Sequence, residues 1–88
     1  MQLHGTVVSV SLNTKAEKQS GGSYDAWELV FRDGAGKIAS IVKPIQGLKF
    51  NAELKKGLSE LQPGDEFTAV LEKNEKGYND VKSVAKVS

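Results

Sequence analysis

A chain of 88 residues holds one domain with a small core, and the absence of cysteine excludes both disulfide reinforcement and thiolate metal sites, so apolar packing must stabilise the fold alone. Twelve basic against eleven acidic side chains give a formal net charge of +1, too near balance for charge alone to indicate nucleic acid. The opening Met1-Gln2-Leu3-His4 lacks the basic start and apolar run of a secretion signal, and no apolar stretch approaches the ~20 residues that span a bilayer, so a soluble cytoplasmic protein without membrane contact is expected.

In chain order, Leu3–Leu12 (LHGTVVSVSL) is rich in Val and Ser with one glycine, the composition of a strand that bends. Asn13–Ser23 (NTKAEKQSGGS) shows no apolar periodicity and ends in Ser-Gly-Gly-Ser, which predicts a flexible loop. Tyr24–Phe31 (YDAWELVF) alternates, with Trp27, Leu29 and Phe31 on one face and Tyr24, Ala26, Glu28 and Val30 on the other. The turn residues Asp33–Gly36 and the β-branched run KIASIVKPI then predict a hairpin of strands two and three that ends at Pro44.

From Phe50 the period changes. Leu54, Leu58 and Leu61 recur at helical spacing, Asn51 stands at an N-cap and Pro63-Gly64 at a stop, which predicts one helix over about 51–62. Gly57 costs that helix about 1 kcal/mol relative to alanine, so it has to dock its leucines to persist. Asp65–Lys73 returns to period two with Phe67, Ala69 and Leu71 on one side, and Gly77–Val87 supplies a last strand. The order is β-β-β-α-β-β.

That order fits an all-β fold, a small five-stranded closed barrel with one α-helix between strands three and four. LHGTVVSV at the start, WELVFRDGAGK at the central hairpin, LQPGDEFTAVLEKN after the helix and KGYNDVKSV near the end together resemble an oligonucleotide/oligosaccharide-binding (OB) fold, over nearly the whole of residues 1–88 as a single domain. In length and in its last two strands the chain is similar to the compact single-stranded DNA-binding proteins of bacteriophages. The resemblance implies sequence-tolerant binding of single-stranded DNA in replication or recombination, in the host cytoplasm if the protein is viral, with no cofactor.

In that family the binding surface crosses strands two and three and is bordered by the loops between strands one and two and between four and five. The resemblance therefore puts Tyr24 at one end, Lys15 and Lys18 in the first loop, Lys37 and Lys43 on strand three, and Tyr78 at the last hairpin with Lys76 and Lys82 near the phosphates. Trp27 stands between two readings, a core residue or an indole offering one face to a base. Tyr78 likewise either stacks on a base or packs across its hairpin, and Phe50 reads as a packing anchor for the helix and only a minor binding candidate. Residues 1–50 carry six basic and four acidic side chains; Arg32 and Lys49 complete the basic set there, while Glu17, Asp25 and Glu28 interrupt it. Moderate affinity per protomer follows, raised where several protomers, as a homo-oligomer, share one strand.

Catalysis finds little inventory: His4 is the one histidine, no thiol is present, and the paired acids Asp65-Glu66 and Glu72 with Glu75 fall at a strand start and a turn, so no enzyme and no metal are expected. RNA remains an alternative ligand, because stacking is indifferent to the sugar, and a protein–protein module without nucleic acid is a third reading, favoured by the near-neutral charge. The ending VKSVAKVS has no acid after Asp80, so recruitment of other proteins by an acidic tail is not expected.

Overall fold

A computed structural model describes residues 1–87; Ser88, the last residue of the ending discussed above, lies outside the described residues. The chain is mostly strand: β1 (Gln2–Glu17), β2 (Ser23–Arg32), β3 (Ile38–Pro44), two short helices α1 (Gln46–Lys49) and α2 (Ala52–Glu60), then β4 (Glu66–Lys73) and β5 (Asn79–Lys86). The strands form one antiparallel sheet in the order β3-β2-β1-β4-β5.

β1 serves both halves of this sheet. Gln2–Thr6 pair with Val70–Glu66 of β4, and from Thr6 onward the strand pairs with β2, beginning opposite Arg32. The glycine expected to bend the strand sits at this change of partner. A Cβ on Gly5 would lie 2.7 Å from the Arg32 carbonyl oxygen and 2.8 Å from the Phe31 ring, so only glycine lets β2 come this near.

Two expectations are corrected along β1 and β2. Asn13–Ser23 is not a loop: after an irregularity between Ser11 and Thr14 the pairing resumes through Lys15 opposite Asp25, Ala16 opposite Tyr24 and Glu17 opposite Ser23. The turn is confined to residues 18–22, closed by Lys18 N–H donating to the Gly22 carbonyl at 3.1 Å, with Gly21 and Gly22 at positive φ. This arm lacks apolar periodicity because it extends past the core, and backbone pairing holds it without a buried face. Trp27 is 1% exposed and belongs to the core with Leu29 and Phe31, so it is a core residue that reaches the surface only at the floor of a hollow and is not a free stacking platform.

The core lies between the inner face of the sheet and the leucines of α2. Phe31 of β2 and Phe67 of β4 meet edge to face with ring centroids 5.3 Å apart, which couples the two halves of the sheet. α2 begins where its cap predicts: Asn51 Oδ1 accepts from Leu54 N–H at 3.0 Å. Gly57 has a structural reason as well, since a Cβ there would lie 1.8 Å from the Val84 carbonyl oxygen. The missing side chain lets α2 lie directly on β5, burying Leu54 and Leu58. The single helix expected over 51–62 is shorter, and α1 precedes it.

The sheet does not close into the expected barrel. Among the described residues β3 and β5 share no backbone ladder. Two side chains span the gap instead: Lys43 Nζ donates to the Asn79 carbonyl at 3.1 Å, and Asn51 Nδ2 to the Lys82 carbonyl at 2.9 Å. Pro44, which has no N–H to give, ends β3 just there. No helix among the described residues is long and apolar enough to cross a membrane.

Candidate nucleic-acid interface

Two adjoining hollows flank the end of β3 and share Pro44. The first, about 490 Å³, lies between the β1–β2 arm and α1 and is lined by Lys18, Tyr24, Asp25, Ile45, Gln46 and Lys49 as well as Pro44. The second, about 350 Å³, is the gap between β3 and β5, with Trp27 and Leu54 at its floor, Lys43 on one wall, Asp80, Val81 and Lys82 on the other, and Gly47 and Asn51 completing the rim.

Local folding places each group. Tyr24 is half-buried where β2 leaves the arm, opposite Ala16. Lys43 lies opposite Trp27 and so shares the inward side of the sheet; at the end of the strand that direction leads out across the gap to β5. Lys82 stands where β5 slips register against β4, between Val81 opposite Leu71 and Ser83 opposite Val70. Tyr78 follows a turn organised by Asn74, whose Oδ1 accepts from both Lys76 N–H (2.9 Å) and Tyr78 N–H (3.0 Å) while Gly77 takes positive φ. The Tyr78 ring is 68% exposed and precedes Asn79, the residue that Lys43 grips.

Of the residues singled out from sequence, Tyr24 and Lys18 share one hollow, Trp27, Lys43 and Lys82 share the other, and Tyr78 adjoins it. Three do not join them as free cations. Lys15 bonds to Asp25 at 2.5 Å, and the pair neutralises the one carboxylate lining the first hollow. Arg32 and Lys37 occupy the far end of the β2–β3 hairpin, where Arg32 Nη1 donates to the Gly36 carbonyl at 3.4 Å. Arg32 stands five residues along β2 from Trp27, roughly 17 Å at strand rise. The outward face of β2 and β3 carries Glu28, Val30, Arg32, Ile38, Ser40 and Val42, with Tyr24 at the start of β2 its aromatic residue, so the surface across these strands that the resemblance implies offers a stacking ring at one end and none over the rest.

Phe50 reverses its expected role. It is 88% exposed, directly before the Asn51 cap and beside the second hollow. A signal for this was present in the sequence: a hydrophobic residue before an N-cap commonly packs on an apolar fourth helical position, and here that position is Lys55. With no partner on the helix, the ring faces water.

Comparison of the chain with protein-family models, with curated proteins and with solved structures finds no match.

Proposed function

We propose that the protein binds single-stranded DNA with little sequence preference, as an OB-type domain acting in replication or recombination. The observation that carries this reading is the grouping of Lys18, Lys49, Lys43 and Lys82 along two contiguous hollows, with Tyr24 inside the track and the exposed rings of Phe50 and Tyr78 beside it. Cations that follow a backbone and rings that accept unstacked bases are the two requirements of single-strand binding. Duplex DNA is disfavoured, since its bases are already stacked and offer these rings nothing. The strand order, with β1 shared between two halves and α2 preceding β4, supports an OB-type reading in which Lys43 of β3 and Asn51 at the α2 cap each bond a carbonyl of β5.

In this reading the protein acts on transiently exposed strands, where several copies side by side raise the affinity of one. Titration of oligo-dT, oligo-rU and duplex DNA at two salt concentrations tests the proposal. Salt-sensitive binding of oligo-dT with little binding of duplex is expected, oligo-rU measures the contribution of the sugar, and equal binding of duplex and single strand contradicts it. A protein–protein module is the second reading, favoured by Ile38, which is 60% exposed on a strand edge with no neighbour. Absence of oligonucleotide binding together with a stoichiometric protein partner would select it.

A further inference from the structure

β3 ends the sheet, and the backbone groups on its outer edge can be assigned one by one. Asp33 N–H donates to the Lys37 carbonyl at 2.9 Å and Ile45 N–H to the Asp25 carbonyl at 3.0 Å, which fixes the phase of the β2–β3 ladder at both ends. Lys37, Ala39, Ile41, Lys43 and Ile45 therefore turn their backbone groups to β2, and Ile38, Ser40 and Val42 turn theirs away from it. Among the described residues no backbone bond ends on those three. An edge strand is usually protected by a charge, a proline or a bulge along its length. Residues 38–42 read IASIV, with no charge or proline, and their register against β2 is unbroken. Ile38 is 60% exposed, Ser40 is exposed, and Ala39 and Ile41 are only partly buried against the core. The two cations that the track leaves out stand at the hairpin end of this edge: Arg32 lies opposite Ile38, Lys37 precedes it, and neither enters an ion pair among the described residues. The neighbouring Asp33 has its Oδ1 taken up by the Ala35 and Lys37 amides, and Glu28 lies at the other end, opposite Val42.

We propose that the edge of β3 accepts an extended segment of another protein as an added antiparallel strand, apolar at alternate positions and acidic at its C-terminal end, where it reaches the hairpin. Main-chain bonds to Ile38, Ser40 and Val42 hold the segment, and the side chains of Ile38 and Val42 pair with apolar residues opposite them. The Arg32 guanidinium and the Lys37 ammonium receive the acids, which sets the direction of the segment. A second copy of this chain fits less well, because β3 pairing with itself about Ser40 sets Lys37 opposite Lys43 on both sides. None of residues 38–42 lines either hollow, so this surface is separate from the nucleic-acid track and the proposal does not rest on the single-strand reading.

The test is residue-resolved amide hydrogen exchange of the wild-type protein, alone and with a peptide of blocked ends, Val-Thr-Val-Thr-Val-Glu-Glu. Alone, the Ile38, Ser40 and Val42 amides should exchange at least about ten-fold faster than those of Ala39, Ile41 and Lys43, and with the peptide the first three should slow by about ten-fold. A peptide with lysine in place of both glutamates should bind about five-fold more weakly, and the Arg32→Ser/Lys37→Ser variant should remove that difference. N-methylation of one alternate set of the peptide's amides should abolish binding and of the other set should leave it; this arm uses the wild-type protein, so it does not depend on the variant folding. Protection of the three amides in the dilute protein without peptide overturns the open edge. Protection that appears on raising the protein concentration without peptide gives the edge to a second copy and overturns the acidic partner. No binding at about 1 mM peptide, or equal binding of the glutamate and lysine peptides, overturns the proposal as well and leaves single-strand binding standing.

Discussion

Three aromatic residues that look alike in the sequence have three different fates, decided by what each finds within reach. Trp27 faces inward opposite Lys43 and fills the end of the core; Phe50 precedes a helix whose fourth position is a lysine and stays in water; Tyr78 follows a turn held by Asn74 and projects from it. Trp27→Ala should therefore lower the unfolding free energy by roughly 3–5 kcal/mol, read by urea denaturation with circular dichroism, because it empties a buried volume that the small core has little means to refill. Phe50→Ala and Tyr78→Ala should leave stability within about 0.5 kcal/mol and weaken oligo-dT binding, by up to ~1–3 kcal/mol for each ring that carries a base. If the stability losses fell instead on Phe50 and Tyr78, the division between core and platform would be wrong. Lys82→Ala should cost more affinity than the Lys15→Ala/Asp25→Asn double variant, which removes a self-neutralising pair and leaves the charge of the hollow unchanged, while Lys82 stands in the track.

At the scale of elements, the legible parts of the fold were those with a buried face. The alternation of Trp27, Leu29 and Phe31, the spacing of Leu54 and Leu58, and the alternation of Phe67, Ala69 and Leu71 each report a surface turned toward the core, and each is buried. The β1–β2 arm was illegible because pairing of Thr14–Glu17 with Ser23–Ala26 is made by backbone groups, which the side-chain pattern does not record. Amides inside this arm should be protected from hydrogen exchange beyond those of the Lys18–Gly22 turn; uniform rapid exchange across 13–23 would restore the flexible loop. Gly57 shows the opposite kind of blindness. Helix propensity alone makes Gly57→Ala stabilising, by up to about 1 kcal/mol, yet the new methyl would overlap the Val84 carbonyl and force α2 off β5. A net loss of ~1–3 kcal/mol is expected, each kcal/mol lowering the melting temperature of a domain this size by about 4–8 °C. A higher melting temperature would contradict the seating of the helix.

At the scale of the whole molecule, the candidate site was legible in its residues but not in its position. Tyr24, Lys18, Lys43, Lys82 and Tyr78 were all singled out from sequence, whereas the track they adjoin runs past the end of β3 and over the gap to β5, not across the open face of β2 and β3. Sequence could not place it there because the gap exists only through the failure of two distant strands to pair. Arg32 and Lys37 were included for their charge and lie at the other end of the hairpin, so their removal should barely change binding. With four lysines along the track, log affinity against log salt should fall with a slope between about −2 and −3 if all of them meet phosphates. The most direct test of the account is the affinity of wild type and the Phe50→Ala/Tyr78→Ala double variant for oligo-dT and for duplex of equal length, followed by anisotropy of a labelled oligonucleotide. The account predicts that wild type prefers the single strand and that the double variant, still folded, loses that preference; an undiminished preference in the folded double variant would contradict it.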